Sequence, residues 1–463
     1  MIETHKINVG PVLHAAAWYA PYHIGGTEVY VEGLVEELAR RGIKSTIIVP
    51  RAAGAAAVYE HAGTRVETYP VSDVPSKAEL RDNSRGPEFD GFLRCLAQNR
   101  GSIYHQHSWT RGCGLPHLLA AKGMGFSTVL TVHVPSNICL RGTMRRFGEM
   151  GCNGKIDETI CGACWLHERG LSRPIAARVA ALPLSVSRAA GQLSSRFGTA
   201  LSARALASSK LDSMRMMISA ADRVVAVCEW VHEALLNNGV PRAKLILNRQ
   251  GISKSFENSA MEVLENASRS GNDTGRLSLL YIGSFNPTKG IDIAVRAIRS
   301  LPEALPVRLD IRAPSGGPEQ QTYEEYVRAL AGNDPRIAFQ GPLNRNEIAR
   351  EMRLHDALLV PSVWMETGPL VVLEAQAVGL PVIGSKIGGI AELMHEPEDG
   401  ALVPPGDVLA WAAAIEQFLS KGMNNLTRRT AKSVRTMVNV GDEMVPVYEK
   451  LIVASLRANS TGG

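Results

Sequence analysis

The sequence predicts an α/β protein made of two parallel-sheet domains. Its 463 residues exceed what one hydrophobic core usually holds, since domains average roughly 150 residues, so we expect two or three domains. Short apolar runs alternate with helix-length segments in two successive series. A polar stretch at 265–276, rich in Gly, Ser, Asn and Asp, separates the two series as a linker does.

The first series opens with a βαβ pattern. Tyr30, Leu34 and Leu38 recur at i, i+4 and i+8 on one helical face, with Thr27 as the expected N-cap and Gly42 as the expected C-cap. Apolar runs flank this helix, and further ones follow. The strands predicted for this series are INVGPVLHAA, IKSTIIVP, SIYHQH, STVLTVHV, RVVAVC and KLILN.

The second series repeats the same rhythm of strand and helix beyond the linker. Two successive parallel α/β units suggest two facing domains with a cleft between them. The strands predicted for this series are LSLLYIG, VRLDIRA, RIAFQ, DALLVPS and PVIGS.

Two glutamates in the second series indicate a ligand site. Glu366 and Glu374 lie eight positions apart, and Gly368 precedes Pro369, a residue suited to the first helical position, so the helix is expected to start just after Glu366. A helix N-terminus offers free N–H groups and a positive dipole end to a diphosphate. Ionised carboxylates accept hydrogen bonds from sugar or ribose hydroxyls. The pattern suits a nucleotide sugar; the alternative is two solvated helix-end charges.

The stretch PSVWMETGPLVVLEAQAVGLPVIGSKIGGIAELM resembles the donor-binding signature of retaining glycosyltransferases of family 4, which have the GT-B fold. YIGSFNPTKG is similar to that family's phosphate loop, DGALVPPGD to its following loop, and HIGGTEVYVEGLVEELARRG to its N-terminal glycine loop and helix. The resemblance covers most of the chain outside 137–217. It implies two facing Rossmann-like domains and metal-independent retaining transfer from a nucleoside diphosphate sugar, with no cofactor for catalysis.

By this resemblance the domains span 1–260 on the acceptor side and 261–440 on the nucleotide-sugar side. Residues 441–463 would form a helix that crosses back to the first domain. The acceptor would be a glycan, a glycolipid or another hydroxyl compound, in polysaccharide or cell-envelope biosynthesis. A non-catalytic nucleotide-sugar-binding partner of a glycan assembly, a nucleotide-sugar epimerase and a phosphorylase are the alternatives.

The resemblance also implies roles for individual residues. Glu374 would bond the ribose, Glu366 with the backbone from Thr367 to Leu370 would hold the sugar and diphosphate, and Lys289 would neutralise phosphate charge. His133 would lie near the transferred sugar, which makes Glu366, Lys289 and His133 the predicted catalytic residues. For Lys289 the alternative is a surface lysine, and for His133 a structural histidine. The predicted donor-binding residues are Gly25, Gly26, Gly283, Ser284, Lys289, Glu366, Thr367, Gly368, Pro369, Leu370 and Glu374.

Two positions depart from the family pattern. Ser284 stands where the phosphate loop usually has arginine, so one of two expected cations is missing. Either Arg249 or Arg312 substitutes for it, or catalysis is weakened. Gly368-Pro369 replaces the usual aromatic–glycine pair and keeps the spacing between the two glutamates.

Four cysteines lie close together in the segment 137–217, which reads as an insertion. Cys139, Cys152, Cys161 and Cys164 follow the pattern C-x12-C-x8-C-x2-C. Four thiolates can close a tetrahedral shell around a structural zinc ion. Free thiols and an iron–sulfur cluster are the alternatives, and His133 or His167 could replace one cysteine ligand.

The same insertion is basic. Residues 171–217 contain seven Arg and Lys with Asp212 as the single acid. Peripheral contact with an anionic membrane, which would present a lipid-linked acceptor, and a solvated helical hairpin both fit this composition. Aromatic residues are too few for nucleic acid, and the overall charge of +5 is mild. The N-terminus lacks signal-peptide features, which together with the reduced thiols predicts a cytoplasmic protein, with an option of peripheral attachment at the inner face of the membrane.

Overall fold

The computed structural model divides the chain into two compact units. Unit 1 comprises Met1–Arg249 with Val438–Gly463, and unit 2 comprises Gln250–Met437. Most of the linker predicted at 265–276 lies outside the described residues. The structure describes residues 9–21, 25–52, 56–72, 89–193, 195–266, 275–420 and 431–461.

Unit 1 contains an eight-stranded sheet with the order β10-β9-β6-β5-β1-β2-β4-β3, in which only β3 runs antiparallel to its neighbour. All residues of β1 and β5 are buried, because helices cover both faces of such a sheet. The β3–β4 pair was not predicted. The strands of this sheet are β1 (Val12–Ala15), β2 (Ser45–Ala52), β3 (Val58–His61), β4 (Thr64–Val71), β5 (Ile103–Gln106), β6 (Ser127–Val132), β9 (Arg223–Ala226) and β10 (Leu245–Leu247).

The first helix of unit 1 shows the predicted apolar face, since Tyr30, Leu34 and Leu38 are all buried. It begins two residues earlier than predicted, because Gly25 rather than Thr27 is the N-cap. The helices of this part of unit 1 are α1 (Gly26–Arg40), α2 (Phe89–Gln98), α3 (Leu115–Gly123), α4 (Glu158–Glu168), α5 (Arg173–Ala180), α6 (Leu184–Gly191), α7 (Arg196–Leu201), α8 (Ala203–Ala220) and α9 (Glu229–Asn237).

The segment 137–217 consists of a short antiparallel pair followed by the helices α4 to α8. The pair is β7 (Arg145–Arg146) with β8 (Met150–Gly151). A small core of its own holds these helices together, centred on Trp165 and Leu166 of α4 and closed by alanines of α5 and α8. The small alanine side chains allow α5 and α8 to pack closely against α4.

Unit 2 contains a six-stranded sheet, parallel throughout, with the order β13-β12-β11-β14-β15-β16. Leu279 and Tyr281 of β11 enter the core on one face and Leu280 the core on the other, so helices cover both faces. β16 had been interpreted as part of a loop. The strands are β11 (Leu277–Ile282), β12 (Val307–Arg312), β13 (Ile337–Gln340), β14 (Ala357–Val360), β15 (Val382–Ser385) and β16 (Gly400–Val403).

The last helix of the chain, residues 437–461, packs within unit 1. Asn248 donates a hydrogen bond to the carbonyl of Val440, and Arg41 forms an ion pair with Asp442 at 2.6 Å. None of the helices that the structure describes is long and apolar enough to span a membrane. The remaining helices are α10 (Lys254–Glu265), α11 (Ile291–Ser300), α12 (Pro318–Ala331), α13 (Ile348–Arg353), α14 (Leu370–Ala377), α15 (Gly388–Leu393), α16 (Val408–Ser420) and α17 (Met437–Thr461).

Candidate functional site

The strand order of unit 2 creates one point where the chain reverses direction across the sheet. The chain proceeds from β11 outward through β12 and β13, and then returns to β14 and proceeds the other way to β16. The loops that follow β11 and β14 therefore diverge and leave a crevice at the carboxyl ends of these strands. Most of the residues predicted to bind the donor lie in these two loops.

Lys289 and Glu366 meet in this crevice although 77 positions separate them in the sequence. Lys289 Nζ lies 2.8 Å from Glu366 Oε1, and Ser362 Oγ donates to the same oxygen at 2.7 Å. The Glu366 carboxylate is buried, whereas Lys289 is about one-third exposed. The ammonium group also lies 5.3 Å from the centroid of the Trp364 ring. The two predicted residues thus form a buried acceptor and an accessible cation side by side.

Glycine allows the two loops to approach this closely. Gly290, which follows Lys289, has a φ of +68°, and a Cβ placed there would overlap the carbonyl oxygen of Pro361. The backbone of Val363 donates a 2.8 Å hydrogen bond to the carbonyl of Thr288. A side chain at position 290 would therefore separate the loop that carries Lys289 from the loop that carries Glu366.

A second glycine contact, which the sequence reasoning did not assign, joins the loop after β15 to the Glu366 loop. Gly389 donates its N–H to the carbonyl of Glu366 at 2.7 Å. A Cβ on Gly389 would overlap the backbone of Gly368, and Gly388 has a φ of +51° beside the backbone of Glu366. The double glycine in KIGGIAE was the signal that could have revealed this contact.

Helix α14 begins directly behind Glu366. Pro369, the predicted first helical residue, is instead its N-cap, and Leu370 is the first helical residue. Gly368 has a φ of +98°, which favours glycine, and the carbonyl of Thr367 accepts a 3.3 Å hydrogen bond from Gln250. The first N–H groups of a helix have no partner within it, so this turn presents donors and a positive dipole end to an anion.

Glu374 lies in the second turn of α14 and is half-buried. Burial raises the pKa of its carboxyl to about 7, and the positive charge of Arg345 opposes this shift. A carboxyl that titrates near neutrality can accept or donate a hydrogen bond, which suits contact with a hydroxyl group.

Gly283 and Ser284 start the loop after β11. The N–H of Gly283 donates to the carbonyl of Arg312 at 3.2 Å, and the Tyr281 hydroxyl donates to the carbonyl of Ser284 at 3.1 Å. The two arginines proposed to replace the missing cation are both ion-paired. The guanidinium of Arg312 lies 2.8 Å from Glu351 in unit 2, and that of Arg249 lies 2.6 Å from Glu229 in unit 1.

The other predicted site residues, Gly25, Gly26 and His133, belong to unit 1. The N–H of Gly25 donates to the Glu28 carboxylate at 2.8 Å, which fixes the N-terminus of α1. A Cβ on Gly26 would meet no described atom within 4 Å. Packing against the described part of the chain therefore does not explain this glycine.

His133 ends a chain of buried side chains that the sequence reasoning missed. His133 Nε2 lies 3.4 Å from His107 Nδ1, and His107 Nε2 lies 3.0 Å from His14 Nδ1. His14 Nε2 continues the chain to Ser45 Oγ at 3.4 Å. Burial lowers the pKa of both His14 and His133 to about 3. Neutral imidazoles, each with one donor and one acceptor, satisfy this chain.

His105 completes the polar layer. It is the register partner of His14 on the neighbouring strand, so both rings leave the sheet on the same face. Its Nδ1 and Nε2 lie 2.7 Å from the Tyr448 hydroxyl and from Thr131 Oγ1. His14, His105 and His107 are the only three potential metal ligands among the described residues whose ligand atoms all lie within 4.8 Å of one another. Histidines inside strand-like runs, where parallel sheets usually carry apolar residues, were the available signal.

The four cysteines of the insertion lie in one module around β7, β8 and α4. The backbone N–H of Phe147 donates to Cys164 Sγ at 3.1 Å. Burial raises the pKa of Cys161 to about 11; the Asp157 backbone opposes this shift, and the other three cysteine thiols reinforce it. In the described part of the chain no three of these sulfur atoms all lie within 4.8 Å of one another, so zinc binding would require the thiols to move closer together. His167 Nδ1 donates a hydrogen bond to the carbonyl of Leu171 at 2.8 Å.

A parallel sheet with a lysine–carboxylate pair and a helix N-terminus at the reversal of its strand order is typical of α/β proteins that bind a ligand in that crevice. Two family models match the chain, "Glycosyl transferase 4-like domain" over residues 25–251 and "Glycosyl transferases group 1" over residues 263–437. The chain belongs to this family of glycosyltransferases, as the sequence resemblance predicted.

Similar proteins have been described in mycobacteria. The D-inositol 3-phosphate glycosyltransferase of Mycobacterium sp. strain JLS is 29% identical over 229 residues, which is 48% of this chain and 50% of that protein. The protein of the same name from strain KMS is 33% identical over 171 residues, 36% of this chain and 37% of that protein. The chain thus matches half or less of the length of these relatives.

Solved structures resemble the whole chain. Sucrose-phosphate synthase from Thermosynechococcus elongatus superposes with a TM-score of 0.63 at 20% identity, covering 96% of this chain and all of that one. Anabaena HepE in complex with UDP and glucose superposes with a TM-score of 0.55 at 14% identity, covering 95% and 99%. At this identity the likeness concerns the fold, and it confirms the predicted GT-B class.

Proposed function

We propose that the protein transfers a sugar from a nucleoside diphosphate sugar to a hydroxyl group of an acceptor, with retention of anomeric configuration. The main support is the contact of Lys289 with Glu366 next to the N-terminus of α14. This contact lies where the strand order of the unit 2 sheet reverses. A cation, a buried carboxylate and helix N–H donors are the groups that a diphosphate sugar requires together.

The chemistry follows from where charge develops. As the bond between the anomeric carbon and the β-phosphate oxygen breaks, negative charge grows on that oxygen, and Lys289 with the α14 N-terminus would stabilise it. The acceptor oxygen forms its bond to the anomeric carbon on the face the phosphate leaves, and its proton passes to the departing phosphate. Glu366 would hold the sugar hydroxyls and Glu374 the ribose. No metal ion is needed as a charge carrier in this scheme.

The relatives and structural neighbours support the choice of ligands. HepE was solved with UDP and glucose, and a starch synthase of similar fold with ADP and acarbose. The names of the curated relatives indicate that their acceptor is an inositol phosphate, which is a polyol. We infer a glycan, a lipid-linked glycan or another hydroxyl compound as the acceptor here, in envelope or polysaccharide synthesis, and a cytoplasmic location stays a prediction.

Binding and turnover measurements on site variants test this proposal. Wild-type protein should be stabilised by one member of a panel of UDP-, GDP- and ADP-sugars, by about 2.7 kcal/mol at 100 times the Kd. Lys289→Met and Glu366→Gln should each lower kcat about 100-fold or more, because each removes a group that faces the reacting sugar phosphate.

Lys254→Met is the matched control, because Lys254 forms a comparable ion pair with Glu257 at 2.9 Å elsewhere in unit 2. It should leave turnover unchanged. Equal loss of activity in this control and in Lys289→Met would show a general effect of charge or folding and would contradict the assigned site.

A second candidate function is that of a non-catalytic nucleotide-sugar-binding partner. Ser284 favours it, because the side chain that usually supplies a second cation to the phosphates is a neutral hydroxyl here, and both candidate substitutes are ion-paired. Saturable donor binding with no hydrolysis or transfer, using both glycan and polyol acceptors, would support this partner role over catalysis.

A further inference from the structure

The helices at the outer surface of the insertion carry one sign of charge. From Arg169 to Leu211 the sequence contains seven basic residues and no acidic one. Four of the seven are engaged locally, and these are Arg169 with Glu168, Arg173 with Glu149, Arg204 with Glu158 and Lys210 with the carbonyl of Ser136.

The other three basic residues are Arg178, Arg188 and Arg196. They are exposed on α5, α6 and α7, and no carboxylate among the described residues pairs with them. Three unpaired guanidinium groups on adjacent short helices form a local positive field in a protein of only modest net charge. Such a surface attracts a polyanion or an anionic interface.

Large apolar side chains project between these arginines. Phe197 is 83% exposed, the highest value among the large apolar residues that the structure describes, and Leu193 is 55% exposed. Leu193 lies against Gly198, the residue that follows Phe197 in the chain. Ile175 and Val186 are also about half exposed on α5 and α6. We call Ile175, Arg178, Val186, Arg188, Leu193, Arg196 and Phe197 the insertion surface.

We propose that the insertion surface docks onto an anionic lipid bilayer. Apolar tips flanked by arginines are the composition of interfacial membrane contacts: the apolar groups enter the headgroup–acyl boundary and the guanidinium groups pair with lipid phosphates. A nucleic acid would explain the arginines but not Ile175, Val186 and Leu193. A protein partner would explain the apolar residues but does not require a segment of 43 residues free of acids.

Membrane docking goes beyond the proposed sugar transfer, because it concerns the surface at which the protein encounters its acceptor. The insertion surface belongs to unit 1, whereas Lys289, Glu366 and Glu374 belong to unit 2. Lipid binding is measured without nucleotide sugar, so it can succeed or fail independently of the assigned donor site. Docking would bring unit 1 to the surface that holds a lipid-linked hydroxyl acceptor.

Vesicle flotation of the full chain tests the proposal. Vesicles of equal parts phosphatidylcholine and phosphatidylglycerol should carry the protein, and pure phosphatidylcholine vesicles should not. Arg188→Ser and Arg196→Ser should each lower the vesicle partition coefficient about fivefold, because the loss of one arginine near an anionic surface weakens lipid binding by about this factor. Phe197→Ser should weaken it roughly tenfold, because a buried apolar group is lost.

Two matched variants control for nonspecific effects. Arg242→Ser removes an exposed arginine of unit 1 outside the insertion, and Leu409→Ser removes a leucine that is 75% exposed on α16 of unit 2. Both should float like the wild type. The proposal is wrong if the wild type ignores anionic vesicles, if the controls lose as much binding, or if Phe197 instead supports self-association seen by sedimentation velocity.

Discussion

At the scale of single residues, the candidate site depends on glycines that allow backbones to touch. Gly389 contacts the backbone of Gly368 so closely that a Cβ would overlap it, and its N–H holds the carbonyl of Glu366. The position of the Glu366 carboxylate relative to Lys289 is therefore set by a residue with no side chain. We therefore expect the second glycine of KIGGIAE to support the proposed donor site by holding the Glu366 loop in place.

We expect Gly389→Ala to weaken donor binding about tenfold or more and to cost roughly 1–3 kcal/mol of stability, because the added methyl group must push the Glu366 loop away. Calorimetric titration with the donor identified above measures the first effect and urea unfolding the second. Gly317→Ala, at a position of unit 2 where a Cβ meets nothing within 4 Å, is the control and should leave donor binding unchanged. Because Gly317 is the N-cap of α12, this change should cost some stability, but less than Gly389→Ala.

The sequence predicted the Lys289–Glu366 pair of the candidate site better than its surroundings. Lys289 and Glu366 follow predicted strands, and the structure places them in contact. The double glycine of KIGGIAE is visible in the sequence, but the approach of Gly389 to Gly368 depends on tertiary structure. His14, His105 and His107 were missed for a similar reason, since a single histidine in an apolar run does not reveal that its neighbours on adjacent strands are also histidines.

At the scale of elements, strands that are apolar throughout were predicted and irregular ones were not. β14 and β15 are buried throughout and β11 nearly so, which produces a continuous apolar signal. The β3–β4 hairpin is partly exposed and mixes polar with apolar residues, and the four-residue β16 is followed by two prolines. The start of α14 differed from the prediction by one residue, a usual uncertainty of helix ends.

The cysteine module is an element whose metal content stays a prediction. We expect metal analysis of purified protein to find about one zinc per chain, and Cys161→Ser to lose it and to unfold at lower temperature while donor binding is unchanged. The raised pKa of Cys161 means that zinc uptake must displace protons from thiols, so uptake should weaken as the pH falls.

Cys228→Ser, which alters a buried cysteine of unit 1 outside the insertion, should retain the metal. The histidine group supplies the competing assignment. Zinc that is lost in His105→Gln but kept in Cys161→Ser would move the metal to His14, His105 and His107 and would refute the four-cysteine site.

At the scale of the whole molecule, the sheet of unit 2 carries the candidate donor site, whereas the sheet of unit 1 buries a polar layer. In unit 2 the carboxyl ends of β11 and β14 carry groups open to a ligand. In unit 1 four histidines fill the corresponding interior under Tyr30 and Tyr448, where they are neutral and hydrogen-bonded. Such a layer couples the folding of unit 1 to pH.

The direction of this coupling follows from the pKa values. In the folded chain the pKa of His14 and of His133 is about 3, against 6.5 for an unperturbed histidine. Between these two values the unfolded chain binds more protons than the folded chain, so acid favours unfolding. The stabilisation is fully present above about pH 6.5 and declines as the pH falls toward 3, by about 1.4 kcal/mol per pH unit for each such histidine.

We therefore expect the free energy of unfolding of unit 1 to fall steeply between pH 7 and pH 5. His133→Gln should reduce the slope of this pH dependence by about 1.4 kcal/mol per pH unit, because glutamine does not titrate. Urea unfolding at a series of pH values, followed by hydrogen exchange of peptides from β5 and β6, measures the slope for unit 1. His395→Gln changes an exposed histidine of unit 2 and should keep the wild-type slope. An unchanged slope in His133→Gln would mean that His133 binds its proton equally in both states, which contradicts the buried neutral layer.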